Sequence, residues 1–208
     1  PDEGWQRQLS QACPAWDVAT LRLALTGIAG LTEQPAEYCG PFKQSYFLDA
    51  ADQERILDQV DQAMGSRFDQ HLIYSHDPLS GQGLLDIQPQ SASKSTALTY
   101  LAEQSDVAAQ QVVFCGDSGN DLQPLTAGFC GVLVRNADQQ LLKGIEQARS
   151  QNPLLRCYQA NGRYGLDGYY TAGVLEGAVH YGVLSEQALH QALTQQNVDG
   201  RSSFSMSG

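Results

Sequence analysis

Residues 112–121, which read VVFCGDSGND, constrain this chain more than any other segment. An apolar strand runs into a glycine turn, and Asp117 and Asp121 follow the turn. Open α/β sheets bind their ligands at such turns, at the carboxyl ends of strands. If a helix begins near Gly119, the two aspartates lie one turn apart on the same side. Their oxygens would then suit Mg²⁺, although aspartate is also common in first helical turns whatever the function.

The chain is strongly acidic. Its 208 residues include 23 aspartates and glutamates against 12 lysines and arginines, for a formal net charge of −11. This balance argues against a basic patch for nucleic acid. No apolar run approaches the roughly 20 residues needed to span a bilayer, and no segment resembles a secretion signal. We predict a soluble, cytoplasmic protein of one large or two small domains, without membrane or nucleic-acid partners.

The five cysteines are an odd number, lie far apart and include no C-x-x-C pair. Three of them, Cys115, Cys130 and Cys157, fall in apolar, strand-like runs. Because cysteine is a common core residue and intracellular proteins rarely carry disulfides, we predict reduced thiols. A disulfide framework and a zinc site are both disfavoured.

Residues 1–88 are predicted to form an α+β layer, with helices packed on one face of a small sheet. Helical spacing and strand-like alternation of apolar residues support this prediction. The predicted elements are helices over residues 5–9 and 16–28, a strand over 41–48, a helix over 51–64, and strands over 67–75 and 83–87.

Residues 89–208 alternate between helix and strand patterns, which is typical of a Rossmann-like α/β fold with helices on both faces of a parallel sheet. The predicted helices cover residues 93–102, 121–127, 138–149, 169–181 and 185–196, and the predicted strands cover 112–115, 129–134 and 154–159. Residues 201–208 are predicted to be a frayed tail.

Lys94 opens the first helix of this second region, within the sequence ASKSTAL. A lysine at that position adds its charge to the positive end of the helix dipole, which is unfavourable. An anion such as phosphate bound at the same terminus would offset this charge. An exposed surface lysine is the alternative, and Lys94 alone does not decide between them.

Together, Lys94 and the segment CGDSGND at 115–121 resemble the haloacid-dehalogenase-like phosphatases, in particular the capped sugar-phosphatase branch with the sucrose-6-phosphate phosphatase family. The resemblance extends over roughly residues 1–182. The segments PFKxSY at 41–46, IYS at 73–75 and LDIxP at 85–89 are similar to the family's cap, and GVxVxNA at 131–137 is similar to its core. The resemblance implies an α+β cap over 1–88 that selects the substrate, and part of the Rossmann-like core over 89–208.

By this resemblance Lys94, Asp117, Asn120 and Asp121 would be catalytic. Lys94 would offset charge on the transferring phosphoryl group. Asp117 would bind Mg²⁺, and Asp121 would hold the metal's waters or pair with Lys94. Asn120 would orient the cluster. Stabilising charge with a cation and a metal is the usual way in which proteins accelerate phosphoryl transfer.

One departure from the family is large. Its nucleophile lies on an N-terminal strand followed by Asp-x-Asp-x-Thr or Asp-x-Asp-x-Val, where the first aspartate attacks phosphorus and the second is the general acid and base. No such motif occurs here: residues 49–52 have the wrong spacing, and residues 17–20 lack the second carboxylate. The family's phosphate-binding Ser or Thr before the cap is missing too.

We therefore expect an N-terminally incomplete and inactive chain that lacks the first strand of the core. That strand would lie beside residues 112–115 in the middle of the sheet. Its absence would leave buried backbone groups unpaired, at a cost of about 1–3 kcal/mol each.

Substrate choice would belong to the cap, where strand alternation could point polar groups into the cleft. The candidates are Gln34, Lys43, Ser45 and Tyr74. A solvated sheet face is the alternative for each. Asn136 follows a predicted strand, where it could contact the phosphate or cap the helix that begins near Asp138.

Three functions remain open. The first is a Mg²⁺-dependent phosphatase that hydrolyses sucrose 6-phosphate through an aspartyl-phosphate intermediate. The second is a phosphatase of another glycoside phosphate, such as mannosylfructose or glucosylglycerol phosphate. The third is a non-catalytic, phosphatase-like domain attached to sucrose-phosphate synthase. Intact Lys94, Asp117, Asn120 and Asp121 favour an enzyme, because a domain released from catalysis has no chemical need for all four.

Overall fold

The computed structural model describes residues 2–77 and 80–202, and the chain divides into two compact units, Pro1–Ala97 and Leu98–Gly208. Among these residues the first unit has one four-stranded antiparallel sheet, and the second has one three-stranded parallel sheet. These topologies confirm the predicted fold class, an α+β layer followed by a Rossmann-like α/β region. The assignment of cap and core roles to residues 1–88 and 89–208 stays a prediction.

The first unit begins with α1 (Glu3–Ala12) and α2 (Val18–Leu25), whose first turns are capped by the carboxylates of Asp2 and Asp17. The elements that follow are β1 (Leu31–Glu33), β2 (Gln44–Leu48), α3 (Gln53–Met64), β3 (Gln70–His76) and β4 (Gly83–Pro89). The sheet order is β1-β2-β4-β3. The sequence prediction missed β1, because three residues are too few to show an alternation.

One face of this sheet packs against the helices, as predicted. Its buried strand residues are Tyr46, Leu48, Leu85 and Ile87, and they share a core with α2 and α3. The predicted apolar stripe of α3 supplies Ile56, Val60 and Met64 to that core. The helix ends at Gly65, whose φ of +55° is readily adopted only by glycine.

The helix α4 (Lys94–Gln104) leads from the first unit into the second. The elements of the second unit are β5 (Val113–Gly116), α5 (Leu122–Thr126), β6 (Cys130–Leu133), α6 (Gln139–Gln151), β7 (Cys157–Gln159), α7 (Tyr170–His180) and α8 (Glu186–Ser202). The strand predicted over 154–159 is shorter than expected. The predicted frayed tail is wrong at residues 201–202, which are helical, and its remainder, 203–208, lies outside the described residues.

Helices cover both faces of the parallel sheet. Leu133 of β6 packs with residues of α5 and α6 on one face, whereas Val132 and Val134 meet α7 on the other. A Cβ added to Gly173 of α7 would lie 2.9 Å from Val134, and one added to Gly177 would overlap Val132. The two glycines therefore allow α7 to lie directly on the sheet.

The sheet order is β5-β6-β7, so β5 has a single neighbour. No strand within residues 2–77 and 80–202 pairs with its other edge. Its residues Val113, Phe114 and Cys115 are only half-buried.

All five cysteines are unbonded thiols, and Cys115, Cys130 and Cys157 lie in the three parallel strands. Burial raises the pKa of the Cys115 thiol to about 11 and also raises the pKa of Cys157, so both thiols are neutral at pH 7. Separately, none of the described helices has the length and apolar content that crossing a bilayer requires.

Candidate active site

The strand β5 ends at Gly116, and Asp117 is the first residue beyond it. Gly119–Asp121 then form one turn of 3₁₀ helix before α5 begins. A Cβ at position 116 would lie 2.5 Å from Cβ of Asp121, so only glycine fits where the loop folds back. The loop thus has the strand–turn–helix course predicted from residues 112–121.

The two aspartates of this loop have different environments. Asp121 is 5% exposed, and its Oδ2 accepts hydrogen bonds from the backbone N–H groups of Asp117 at 3.1 Å and Ser118 at 3.3 Å. Asp117 is exposed, and its carboxylate makes no hydrogen bond within the described part of the chain. Asp121 therefore shapes the loop, and Asp117 presents a carboxylate at the strand's end.

Asp138 fixes the same loop from a neighbouring element, which the sequence analysis did not anticipate. Its Oδ2 accepts from Gly119 N–H at 2.9 Å, and its Oδ1 caps α6 by accepting from Leu141 N–H at 2.7 Å. Its own N–H donates to Asp117 O at 2.8 Å. In the sequence Asp138 is visible only as a helix start, because nothing in the spacing shows that its second oxygen reaches another loop.

Asn136 caps a helix, but not the helix that was expected. Its Oδ1 accepts from the N–H of Tyr170 at 2.7 Å, at the start of α7, whereas Asp138 caps α6. Tyr170 has φ +45°, which is rare for an aromatic residue, and 69% of its surface is exposed. A contact between Asn136 and a phosphate stays a prediction.

A cavity of about 150 Å³ lies beside this loop, within the second unit. Its lining residues are Cys115, Gly116, Asp117, Asp121, Val134, Tyr170 and Val174. The volume corresponds to about five water molecules at ~30 Å³ each, which suits a hydrated ion or a phosphate group. The carboxylates lie on a wall that is otherwise largely apolar.

The donor set fits part of a magnesium site. Mg²⁺ is usually held by one or two carboxylates, with waters and substrate phosphate completing its shell, and Asp117 supplies an exposed carboxylate of this kind. Across residues 2–77 and 80–202 there is no group of three or more His, Cys, Asp or Glu side chains that could hold a metal by itself. Further ligands would have to come from water, substrate or another segment.

Lys94 is the first residue of α4 and is exposed. The start of this helix is fixed by reciprocal bonds: Thr96 N–H donates to Ser93 Oγ at 3.1 Å, and Ser93 N–H donates to Thr96 Oγ1 at 3.0 Å. Lys94 belongs to the first unit, and Asp117 and Asp121 belong to the second. Their meeting in one site stays a prediction.

Lys43 and Ser45 lie on the face of the antiparallel sheet that is turned away from the helices. Ser45 Oγ donates to Asp86 Oδ1 at 2.6 Å, and Lys43 Nζ lies 3.1 Å from Asp86 Oδ2. Gln34 follows β1 directly, where its N–H donates to Ser45 O at 2.8 Å and its Nε2 donates to Tyr46 O at 3.0 Å. Asp86 was missed, although an acidic residue between Leu85 and Ile87 is a signal that it faces away from the core.

Tyr74 lies on the other face of this sheet, and its part in substrate binding stays a prediction. It pairs with Leu85 in the β3–β4 register and packs against the helix-facing core. Strand alternation gives a residue's side only when the register is known, and a single strand does not reveal its register.

These features define a class of protein: a Rossmann-like α/β unit of the haloacid-dehalogenase type joined to an α+β unit. More particularly, the model of the sucrose-6F-phosphate phosphohydrolase family matches residues 1–182, and the chain belongs to that family. The predicted family is thus confirmed.

Individual relatives agree with this assignment. A HAD-like hydrolase of Nitrosococcus oceani is 36% identical over 188 residues, covering 87% of this chain and 50% of that protein. Sucrose-phosphatase 2 of Nicotiana tabacum is 30% identical over 158 residues, covering 74% of this chain and 35% of that protein. The chain therefore spans between a third and a half of these relatives.

A solved structure extends the likeness to three dimensions. The sucrose-phosphatase of Synechocystis, in complex with sucrose and phosphate, superposes with a TM-score of 0.67 at 28% identity. The match covers 87% of this chain and 67% of that one.

Proposed function

We propose that this chain forms the cap and most of the core of a Mg²⁺-dependent phosphatase that hydrolyses sucrose 6-phosphate to sucrose and phosphate. The observation that carries the proposal is the loop after β5, where an exposed Asp117 and a buried Asp121 line one cavity. Family membership over residues 1–182 supports it, as does the likeness to a sucrose-phosphatase that binds sucrose and phosphate.

Within this proposal each residue has a distinct part. Asp117 would hold Mg²⁺ directly and Asp121 would hold the metal's waters, and a metal held there would supply positive charge opposite the phosphoryl oxygens. Lys94 offsets further charge on the same group, and Asn120 orients the cluster through hydrogen bonds. Among cap residues, Lys43 has N–H groups left to donate to the hydroxyl groups of the sugar, whereas the buried Ser45 donates its own hydroxyl to Asp86 and would position that carboxylate.

The nucleophile is proposed to lie on a strand that pairs with the open edge of β5. The half-buried face of β5 supports this, as do the exposed Val174 and Tyr170 beside it, at 39% and 69% of their surface. The first aspartate of this strand attacks phosphorus while the sugar oxygen leaves with a proton from the second. Water, deprotonated by the second aspartate, then releases phosphate and restores the first.

The proposal is tested by phosphate release from sucrose 6-phosphate, using the full-length protein with Mg²⁺ or with EDTA. Asp117→Asn and Lys94→Gln should each lower kcat about 100-fold or more, the usual effect of removing one charge-stabilising group. Lys143→Gln is the matched charge control, because Lys143 is exposed on α6 outside the site. Full activity of Asp117→Asn, or activity in EDTA, would contradict the proposed site.

Another glycoside phosphate is the second candidate substrate. The mannosylfructose-phosphate phosphatase of Agrobacterium fabrum is 29% identical over 157 residues, which cover 56% of that protein. A panel of sucrose, mannosylfructose and glucosylglycerol phosphates, compared by kcat/KM, separates the two candidates. Binding of sugar phosphate without hydrolysis would favour the non-catalytic domain of sucrose-phosphate synthase. A cytoplasmic location, inferred from composition, stays a prediction.

A further inference from the structure

A second and larger cavity lies along β7, at the edge of the parallel sheet away from β5. It measures about 600 Å³, and its lining includes Arg149, Arg156, Tyr158, His180 and Tyr181. The strand β6 separates β7 from β5, and the cavity shares no lining residue with the one beside Asp117. This volume lies within the range of small-molecule sites, but the cavity is an open groove and not an enclosed pocket.

The charge of this cavity is opposite to that of the chain. The protein has a formal net charge of −11, yet the cavity is lined by two arginines and by no aspartate or glutamate. Neither Arg149 nor Arg156 pairs with a carboxylate among residues 2–77 and 80–202, where the ion pairs involve Arg22, Lys43 and Arg55. Two guanidinium charges are therefore left without a negative partner in the described structure.

Both guanidinium groups are held in place by contacts with the protein. Arg149 Nη2 donates to Cys157 O at 2.7 Å, which fixes the side chain against the edge of β7. The guanidinium carbon of Arg156 lies 5.7 Å from the ring centroid of Tyr181, and that ring is anchored because its hydroxyl donates to Gly131 O at 3.0 Å. Positioning of this kind reduces the entropy lost when a ligand binds.

The aromatic floor of the cavity is also rigid. The His180 ring stacks on Tyr158 with centroids 4.0 Å apart and an interplanar angle of 19°. The Tyr158 hydroxyl in turn donates to the buried carboxylate of Glu176 at 2.6 Å. These two contacts hold the Tyr158 and His180 rings in position in the absence of a ligand.

We propose that this cavity binds a phosphate dianion, either inorganic phosphate or a phosphate monoester, through Arg149 and Arg156. Guanidinium groups suit this ligand because their planar N–H forks match the oxygens of a tetrahedral oxyanion. The proposed site is separate from the phosphatase site and does not depend on it.

The competing explanation is that Arg149 and His180 lie in the last turns of α6 and α7, where cations stabilise helix ends. It does not account for Arg156, which lies outside both helices.

The test is an NMR titration of the full-length protein with inorganic phosphate, glucose 6-phosphate and sodium chloride at matched ionic strength. We expect saturable shifts of the amides at residues 155–159 and 181 with phosphate or its ester. Tighter binding of glucose 6-phosphate identifies a monoester as the ligand, and equal binding identifies the phosphate group itself. Shifts at residues 117–121 report binding at the phosphatase site separately. The two groups of amides therefore show independently whether the phosphatase site and the cavity along β7 bind the ligand.

Variants assign the binding to the arginines. Arg156→Gln should raise the Kd at this cavity about tenfold, the effect of losing roughly one charge-assisted hydrogen bond. Arg149→Gln should also raise this Kd about tenfold, but it removes a hydrogen bond to β7 as well. If Arg149→Gln unfolds, the Kd of Arg156→Gln alone tests the proposal. Arg67→Gln is the matched control, since Arg67 lies 5.9 Å from the Phe68 ring in the first unit. Equal shifts with chloride, or an unchanged Kd in Arg156→Gln, would overturn the proposal.

Discussion

The side chain of Asp121 packs directly against the backbone of Gly116 at the carboxyl end of β5, where a side chain on residue 116 would have to lie. A Cβ on residue 116 would lie 2.5 Å from Cβ of Asp121, so Gly116→Ala has to displace the carboxylate that holds the loop. We expect a loss of about 1–3 kcal/mol in the free energy of unfolding, measured by denaturant unfolding. Gly40→Ala is the control, because its added Cβ meets nothing within 4 Å. Equal stability of the two variants would show that the loop is not constrained in this way.

Asp138 offers a second test at the scale of one residue. Asp138→Ala removes both the cap of α6 and the bond to Gly119 N–H. Asp17→Ala removes a similar cap, since Asp17 Oδ1 accepts from Thr20 N–H at 2.6 Å on α2, in the other unit. Both should lose about 0.5–2 kcal/mol of stability, measured by thermal unfolding, but only Asp138→Ala should also lower kcat in the proposed phosphatase assay. An equal effect of both variants on kcat would show that Asp138 does not position the loop.

The positions of some site residues could be predicted from the sequence and those of others could not, for a physical reason. Asp117 and Asp121 could be placed because a glycine turn after a strand determines where the next few residues lie. Asp138 and Asp86 act through contacts with residues 19 and 41 positions away in the chain, and such contacts leave no local pattern. The face on which Tyr74 lies was not visible for the same reason, since it depends on pairing with another strand.

At the scale of elements, Glu176 connects α7 to the segment after β7. It is fully buried, and its carboxylate accepts from the Tyr158 hydroxyl and from the N–H groups of residues 161–163 at 2.6–3.0 Å. Burial by itself would raise the pKa of Glu176, but these hydrogen bonds outweigh it and hold the pKa below its usual value.

Glu176→Gln should therefore cost about 2–3 kcal/mol at neutral pH, because a charged acceptor of several hydrogen bonds is lost. The folded pKa lies below the unfolded one, so this stabilisation is complete above the usual glutamate pKa of about 4.3 and is lost as the pH falls through the folded pKa. Denaturant unfolding from pH 7 to pH 3 should show a flatter acid limb in the variant than in the natural protein. The exposed Glu103→Gln is the control, and parallel acid limbs for all three proteins would contradict this role.

Elements were predicted well where a periodic pattern was long. The apolar stripe of α3 and the alternation of β2 and β4 were visible in the sequence, and both predicted sheet types are confirmed. The short strand β1 was missed and β7 was predicted too long, because strands of three residues are defined by their neighbours rather than by their own residues.

At the scale of the whole molecule, the open edge of β5 is the feature with the largest consequence. Val112 O and Gly116 O accept hydrogen bonds from the N–H groups of Cys130 in β6 and of Val134 just beyond its end. By the alternation of a strand, the N–H groups of Val113 and Cys115 therefore point to the open edge. If a further strand pairs there, hydrogen exchange should be much slower at these two amides when a segment that supplies the strand is added than in the 208-residue chain alone. Unchanged exchange at both amides would mean that no strand occupies this edge.

The central claim, that the chain holds half of a sugar-phosphatase site, is tested most directly by turnover. Phosphate release from sucrose 6-phosphate should be measured in Mg²⁺ for the 208-residue chain alone and for the same chain supplied with a segment that carries the aspartate pair. We predict no turnover from the chain alone and Mg²⁺-dependent turnover once the segment is present. Mg²⁺-dependent turnover by the chain alone would contradict the account, because the nucleophile would then lie within these residues.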